Sequence, residues 1–142
     1  MGRWEVLESI AVADCALEIV GESLDDLFET AAGALAELMV DPATVPITRG
    51  RTLALTAPSR DLLLYDWIAE LIFLKDAEQT VFTRARVEVS DDSPPRLTAW
   101  LAGGPIDPAR TALRADPKAV TFHQFALEPT AGGWRARLVI DI

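Results

Sequence analysis

Long apolar runs are missing from this chain. Half of its 142 residues are hydrophobic, yet no uninterrupted stretch approaches the roughly 18 residues that span a bilayer. No membrane partner is expected. The opening Met1-Gly2-Arg3-Trp4-Glu5 lacks the apolar centre of a signal peptide, so a cytoplasmic protein is the expectation. Cysteine is almost absent: Cys15 stands alone, which excludes an internal disulfide and a thiolate metal cluster. It sits where a strand should begin and reads as a small buried apolar residue, since nucleophilic use would require a nearby base and a lowered pKa. There is no phosphate loop, dinucleotide fingerprint or serine in a nucleophile elbow. Basic residues are few, with 13 Lys and Arg against 22 Asp and Glu and a net charge of −9. Arg84 with Arg86, and Arg135 with Arg137, alternate on strands but are flanked by acids. Direct, tight binding of nucleic acid is therefore not expected. An acidic surface better suits a basic protein partner or a cation.

What is present reads as one domain over residues 1–142, long enough to bury a core without staples. Trp4 to Val12 and Cys15 to Val20 are β-type runs separated by Ala13-Asp14. Ser23 then caps a helix, with Asp25 and Asp26 in its first turn and Leu24, Leu27, Phe28, Ala31, Leu35, Leu38 and Met39 at helical spacing. Asp41-Pro42 ends it. Arg51 to Thr56 is a strand. Ser59 caps a second helix whose apolar face is Leu64, Trp67, Ile68, Leu71 and Ile72, widened by Leu63 and Leu74; it should fray near Lys75-Asp76. Val81 to Val89 and Arg96 to Ala102 form a hairpin, with Val81, Thr83, Ala85, Val87 and Val89 on one side. Gly103 to Pro117 is polar and long enough for a functional loop. Ala119 to Leu127 and Trp134 to Ile142 form a last hairpin. The fold class is α+β: a mostly antiparallel or mixed sheet of about seven strands carrying two helices.

Carboxylates are the main chemical resource. On the last strand Asp141 shares a face with Val139, Arg137 and Arg135, opposite Trp134, Ala136, Leu138, Ile140 and Ile142. If the first and last strands are neighbours, Asp14, Asp141 and the terminal carboxylate of Ile142 converge into an oxygen-only set suited to calcium, magnesium or manganese. The alternative is that Asp141 pairs with an arginine and Asp14 caps a turn. Asp66 and Glu70, at i and i+4 on the second helix, are either a cation or partner site or a solvated edge. His123 is the only histidine and the one side chain whose ordinary pKa lies near neutrality. In a regular strand it shares a face with Ala119, Thr121, Phe125 and Leu127, as a half-buried, hydrogen-bonded ring, and Lys118 points the other way.

Four segments occur in order: Ala13-Asp14 before a β run, Asp66-Trp67-Ile68-Ala69-Glu70-Leu71-Ile72-Phe73-Leu74 on a helix, Lys118-Ala119-Val120-Thr121-Phe122-His123, and Val139-Ile140-Asp141-Ile142. Together they resemble the archease family over essentially the whole chain, and the Lys-Ala-Val-Thr-aromatic-His string is the most specific part. The resemblance implies a non-enzymatic protein that promotes guanylylation and multiple turnover of an RtcB-type RNA ligase in tRNA splicing and RNA repair, touching RNA only indirectly. It implies a divalent cation held at Asp14, Asp141 and Ile142. Asp66, Glu70, Lys118, Thr121 and His123 become candidates for partner contact. The alternative is a chaperone-like scaffold with several clients; a small metal-dependent hydrolase is a third class, with only His123 as a base. One departure stands out: the family commonly reads His-Thr-Ala-Asp where this chain has Ala11-Val12-Ala13-Asp14, so no role of that histidine carries over.

Overall fold

The computed structural model describes residues 2–7 and 14–142. Strand β1 (Arg3–Val6) pairs with β2 (Asp14–Gly21), and the loss of pattern at Gly21-Glu22 releases the chain into helix α1 (Leu24–Met39). Ser23 caps α1 by accepting from the Asp26 N–H at 3.1 Å. The Asp26 carboxylate accepts from the Glu22 and Gly2 N–H groups instead of the cap residue's own, which ties the helix start to the first strand. A short 3-10 turn at Pro42–Thr44 leads to β3 (Arg49–Thr56). Ser59 then caps α2 (Arg60–Glu78), which continues beyond Lys75-Asp76 and is stopped by Gln79 in the left-handed region at φ 50°. Strands β4 (Thr80–Ser90), β5 (Arg96–Pro105), β6 (Ala119–Thr130) and β7 (Gly133–Asp141) complete the fold.

The expected seven strands and two helices are present, but the strands divide between two sheets. One has the order β1-β2-β7-β6 and the other β3-β5-β4, and every pairing is antiparallel. Both helices contact both sheets. This explains why α2 carries apolar residues on so much of its circumference: Leu63, Leu64, Trp67, Ile68, Leu71, Ile72 and Leu74 are all buried, as a helix covered on more than one side requires. Trp67 fills the centre, and its indole N–H donates to the Phe28 carbonyl at 2.9 Å, so burial of the ring leaves no orphan donor.

Two devices finish the edges. Strand β4 lies at the margin of the three-stranded sheet, where its N–H groups would invite another strand. Helix α1 blocks it: Asp25 accepts from the Val89 N–H at 2.7 Å and Glu29 from the Val87 N–H at 2.8 Å. The segment after β5 is tied down as well. Its Arg114 and Ala115 N–H groups donate to the Met39 and Leu38 carbonyls, supplying partners to the C-terminal end of α1. What the sequence suggests as a functional loop is thus a cap on α1, and it delivers the chain to β6 in a fixed position.

Candidate functional site

Antiparallel pairing makes Asp14 and Asp141 direct cross-strand partners, the first residue of β2 against the last of β7. Cys15, Leu17 and Ile19 on β2 and Ile140 and Leu138 on β7 face the helices in the core. Strand alternation therefore turns both aspartates to the opposite face. Both are half-buried, and among the described residues neither carboxylate has a hydrogen bond or an ion pair. Cross-strand Cα atoms are about 4.5–5.5 Å apart, and like charges placed there repel. The expected alternative, an arginine paired with Asp141, is not what forms: Arg135 pairs with Glu128 at 2.6 Å, and Arg137 donates to the Gln124 amide oxygen at 2.6 Å.

The third side of the site is β6. Ala119 is the other cross-strand partner of Asp141, and the Lys118 N–H donates to the Asp141 carbonyl at 2.7 Å. The Lys118 side chain is exposed. Its position depends on Lys75, which is buried near the end of α2, ion-paired to Asp116 and Asp76, and donating to the Pro117 carbonyl at 2.6 Å. The sequence marks Lys75 only as a fraying helix end; nothing in a charged residue near a helix terminus signals that a loop closes over it. Ile142 is half-buried and packs against the core, as the parity of β7 requires.

The Lys118–His123 segment departs from a regular strand. Thr121 pairs with Val139 but Ala126 already pairs with Arg137, so Phe122 to Phe125 stand opposite Leu138 alone, with Gln124 at φ 53°. This bulge reverses the alternation. Ala119 and Thr121 share the outward face with Asp141 and Val139, whereas Phe125 and Leu127 pack on the core side. His123 therefore does not share their face and is not half-buried; it is exposed, with its own N–H donating to the Thr121 hydroxyl at 3.3 Å. Extra residues in one strand lift the chain off the ladder and re-aim side chains, and composition gives no sign of it.

The bulge carries Phe122 onto helix α2. Its ring stacks on Tyr65 with centroids 3.9 Å apart and planes within 3°, Phe125 meets both rings edge-on, and the Tyr65 hydroxyl donates to the Val120 carbonyl at 3.0 Å. Phe122 nonetheless remains 60 % exposed. Asp66 is exposed and Glu70 half-buried on α2 beside this cluster. That helix packs on the opposite face of the sheet from the aspartate pair, so the structure separates two groups: Asp14, Asp141, Thr121 and the Lys118 main chain on one side, and Asp66, Glu70 and the aromatics on the other. No three His, Cys, Asp or Glu side chains gather into a cation-holding group among the described residues. Ala11, Val12 and Ala13 lie outside those residues. Burial pushes the Cys15 thiol above its ordinary pKa, which opposes thiolate chemistry. No helix among the described residues is long and apolar enough to cross a membrane.

Comparison with known proteins agrees with the strand and helix assignments. The archease of Methanosarcina mazei is 34% identical over 142 residues, covering 99% of this chain and 96% of that protein. The archease of Pyrococcus abyssi is 31% identical with full coverage of both. The solution structure of Methanobacterium thermoautotrophicum protein 1598 superimposes with a TM-score of 0.80 at 30% identity, covering 98% of each chain. A Thermotoga maritima crystal structure, named an archease and possible chaperone, has a TM-score of 0.64 at 18% identity over 97% of this chain and 98% of that one, and shows the shared fold alone. The archease protein family model matches residues 4–142, and the chain belongs to that family.

Proposed function

We propose that this chain is a non-enzymatic activator that docks on an RtcB-type RNA ligase and promotes its guanylylation and turnover, using a divalent cation held by Asp14 and Asp141. The observation that carries the reading is the direct opposition of these two carboxylates at one end of β2 and β7. Two half-buried carboxylates on adjacent strands, without a neutralising partner among the described residues, are costly without a cation, and an oxygen-only donor set fits a hard one such as calcium, magnesium or manganese. A main-chain oxygen at Ile142 completes the set that the family resemblance implies. When bound, the cation supplies positive charge at an otherwise acidic rim. The chain's own residues do the rest: Asp14 and Asp141 orient the charge, the Lys118 amide fixes the Asp141 main chain, and the exposed Lys118 side chain and Thr121 present a cation and a hydroxyl to the partner.

The Tyr65–Phe122 stack supports a protein-docking role for the opposite side. An exposed aromatic held rigid by stacking presents apolar area without losing rotamer entropy on binding, and Asp66 and Glu70 beside it suit a basic partner surface. His123, exposed next to Phe122, belongs to the same contact. The same patch underlies the second reading, a chaperone-like scaffold for several clients, which the description of the Thermotoga protein also suggests. The deciding experiment measures ligase guanylylation with purified components. Asp14→Ala and Asp141→Ala should each abolish stimulation with circular dichroism unchanged, and Phe122→Ala should weaken complex formation. Full stimulation by both aspartate variants overturns the carboxylate mechanism; capture of several unrelated proteins in the absence of ligase favours the scaffold.

A further inference from the structure

The outer face of the three-stranded sheet is open and its chemistry is unlike the rest of the molecule. Leu97, Ala99 and Leu101 of β5 face the core, so alternation turns Arg96, Thr98 and Trp100 outward. Trp100 stands at the centre, with Arg86 of β4 and Thr52 of β3 as its cross-strand partners, and is 38% exposed. The Arg86 guanidinium lies 4.7 Å from the indole centroid, a cation placed on one side of the ring. Next along the sheet, Ala102 lies between Gly50 and Arg84, so the floor beside the indole is small and flat. Arg84 is exposed and has no ion pair or hydrogen-bonded acid among the described residues. Towards the other end an open hollow of about 540 Å³ is lined by Thr56, Glu88, Ser90, Arg96 and Thr98.

Three arginines against Glu88 and Asp92, the latter 4.0 Å from Arg96 at the end of the sheet, give this face a formal charge of +1 on a chain whose total is −9. The sequence places Arg84 and Arg86 among acids; in the strand Ala85 and Val87 face inward, and the one β4 acid that shares the outward face, Glu88, pairs with Arg86 at 3.4 Å and leaves Arg84 without an acid partner among the described residues. Strand alternation has sorted positive charge and an aromatic onto one side. We infer that this face binds a short single strand of RNA, with one base stacked on Trp100 and phosphates on Arg84, Arg86 and Arg96. Each element of the surface matches that occupant. A single strand offers a flat ring every few ångströms and a phosphate between rings, and an open sheet bearing an aromatic with flanking arginines accommodates both. Hydroxyls from Thr52, the cross-strand partner of Trp100, and from Thr98, the next outward residue of β5, flank the stacking position, which suits a ribose 2′-hydroxyl as donor and acceptor. The exposed run of β5 from Arg96 to Ala102 is about 20 Å long, room for roughly two or three nucleotides of the kind a sheet platform stacks. An acidic peptide would meet the arginines but would leave the indole unused.

Fluorescence polarisation of a fluorescein-labelled octauridylate against the full-length protein tests this. Trp100→Ala and the double variant Arg84→Gln/Arg86→Gln should each weaken binding roughly tenfold or more, while Trp100→Phe retains most of the affinity and Arg110→Gln, on the segment after β5, changes nothing. The logarithm of the affinity should fall with the logarithm of salt at a slope of about −2, as for three phosphate contacts on a single strand. These sites are on an exposed sheet face, so melting temperatures should stay within a few degrees and separate binding from folding. No polarisation change at millimolar protein, or equal binding by the Trp100→Ala variant, overturns the inference. Equal affinity for octathymidylate overturns RNA as the occupant, and equal competition by an octaglutamate peptide reassigns the face to acidic protein.

Discussion

Replacing Asp141 by Asn should raise the stability of the cation-free protein and remove its response to cation. The carboxylates of Asp14 and Asp141 face each other across β2 and β7. At a separation of about 5 Å in a water-like medium, their repulsion is about 0.8 kcal/mol, at the upper end of the roughly 0.2–1 kcal/mol of a cross-strand pair. Asn keeps the volume and removes the charge. For a chain of this length, roughly 3 °C of melting temperature accompanies each kcal/mol, so the variant should melt about 2 °C higher in chelator. A cation at one hundred times its dissociation constant adds about 2.7 kcal/mol to the native protein, or about 8 °C by the same conversion. The order of stabilities therefore inverts: the variant is the more stable without cation and the native protein with it. Differential scanning fluorimetry in chelator, and then in titrated calcium, magnesium and manganese, reads both halves. A native protein that shows no shift with any of the three, or a variant that shifts equally, refutes the carboxylate site. A variant less stable than the native protein in chelator refutes the repulsion on which the site is argued.

Asp25→Ala and Glu29→Ala remove the carboxylates that occupy the Val89 and Val87 N–H groups of β4; each should cost about 1.5–3 kcal/mol, and the double variant should self-associate through the opened edge, as size-exclusion chromatography with light scattering would show. Lys75→Met deprives the Pro117 carbonyl of its donor and Asp116 of its partner and should destabilise by about 1–3 kcal/mol. Hydrogen exchange in that variant should rise first between residues 107 and 118, where the released segment lies. The Cys15 thiol has a raised pKa because burial disfavours the thiolate. The folded state thus keeps its proton over a range where the unfolded chain has lost it, so stability from this group is complete below the unfolded pKa and declines as pH rises through the folded one. Urea midpoints should accordingly fall more steeply in the alkaline range for the native protein than for Cys15→Ala, and thiol reagents should label Cys15 only on unfolding.

Local rules made the two helices legible. Ser23 and Ser59 cap them as their spacing indicates, and the seven apolar residues assigned to α2 are its seven buried apolar residues, Lys75 being the eighth buried side chain. A cap is a contact between residues two or three apart, and amphipathic periodicity repeats every turn, so neither needs knowledge of the rest of the chain. The same holds for the parity of β7, which put Asp141 away from Ile140 and Ile142. The division of the strands between two sheets was not legible, because hydrogen bonding between strands is a choice among distant partners that alternation alone does not rank. The bulge that exposes His123 and brings Phe122 to Tyr65 was hidden for a related reason: period-two reading assumes an unbroken ladder, and the residues looped out are identified only by the partner strand they fail to match.

By itself, the sequence determined which residues are helical, which faces are apolar, the acid excess, the family and the pool of carboxylates from which a cation site must come. Those properties reside in composition and in neighbours along the chain. Tertiary structure alone decided that Asp14 meets Asp141, that Lys75 is buried under the loop leading to Lys118, and that Arg84, Arg86, Arg96 and Trp100 share one open face. Each is a meeting of segments far apart in sequence, and its geometry is set by strand register and core packing, which only the folded chain as a whole can fix.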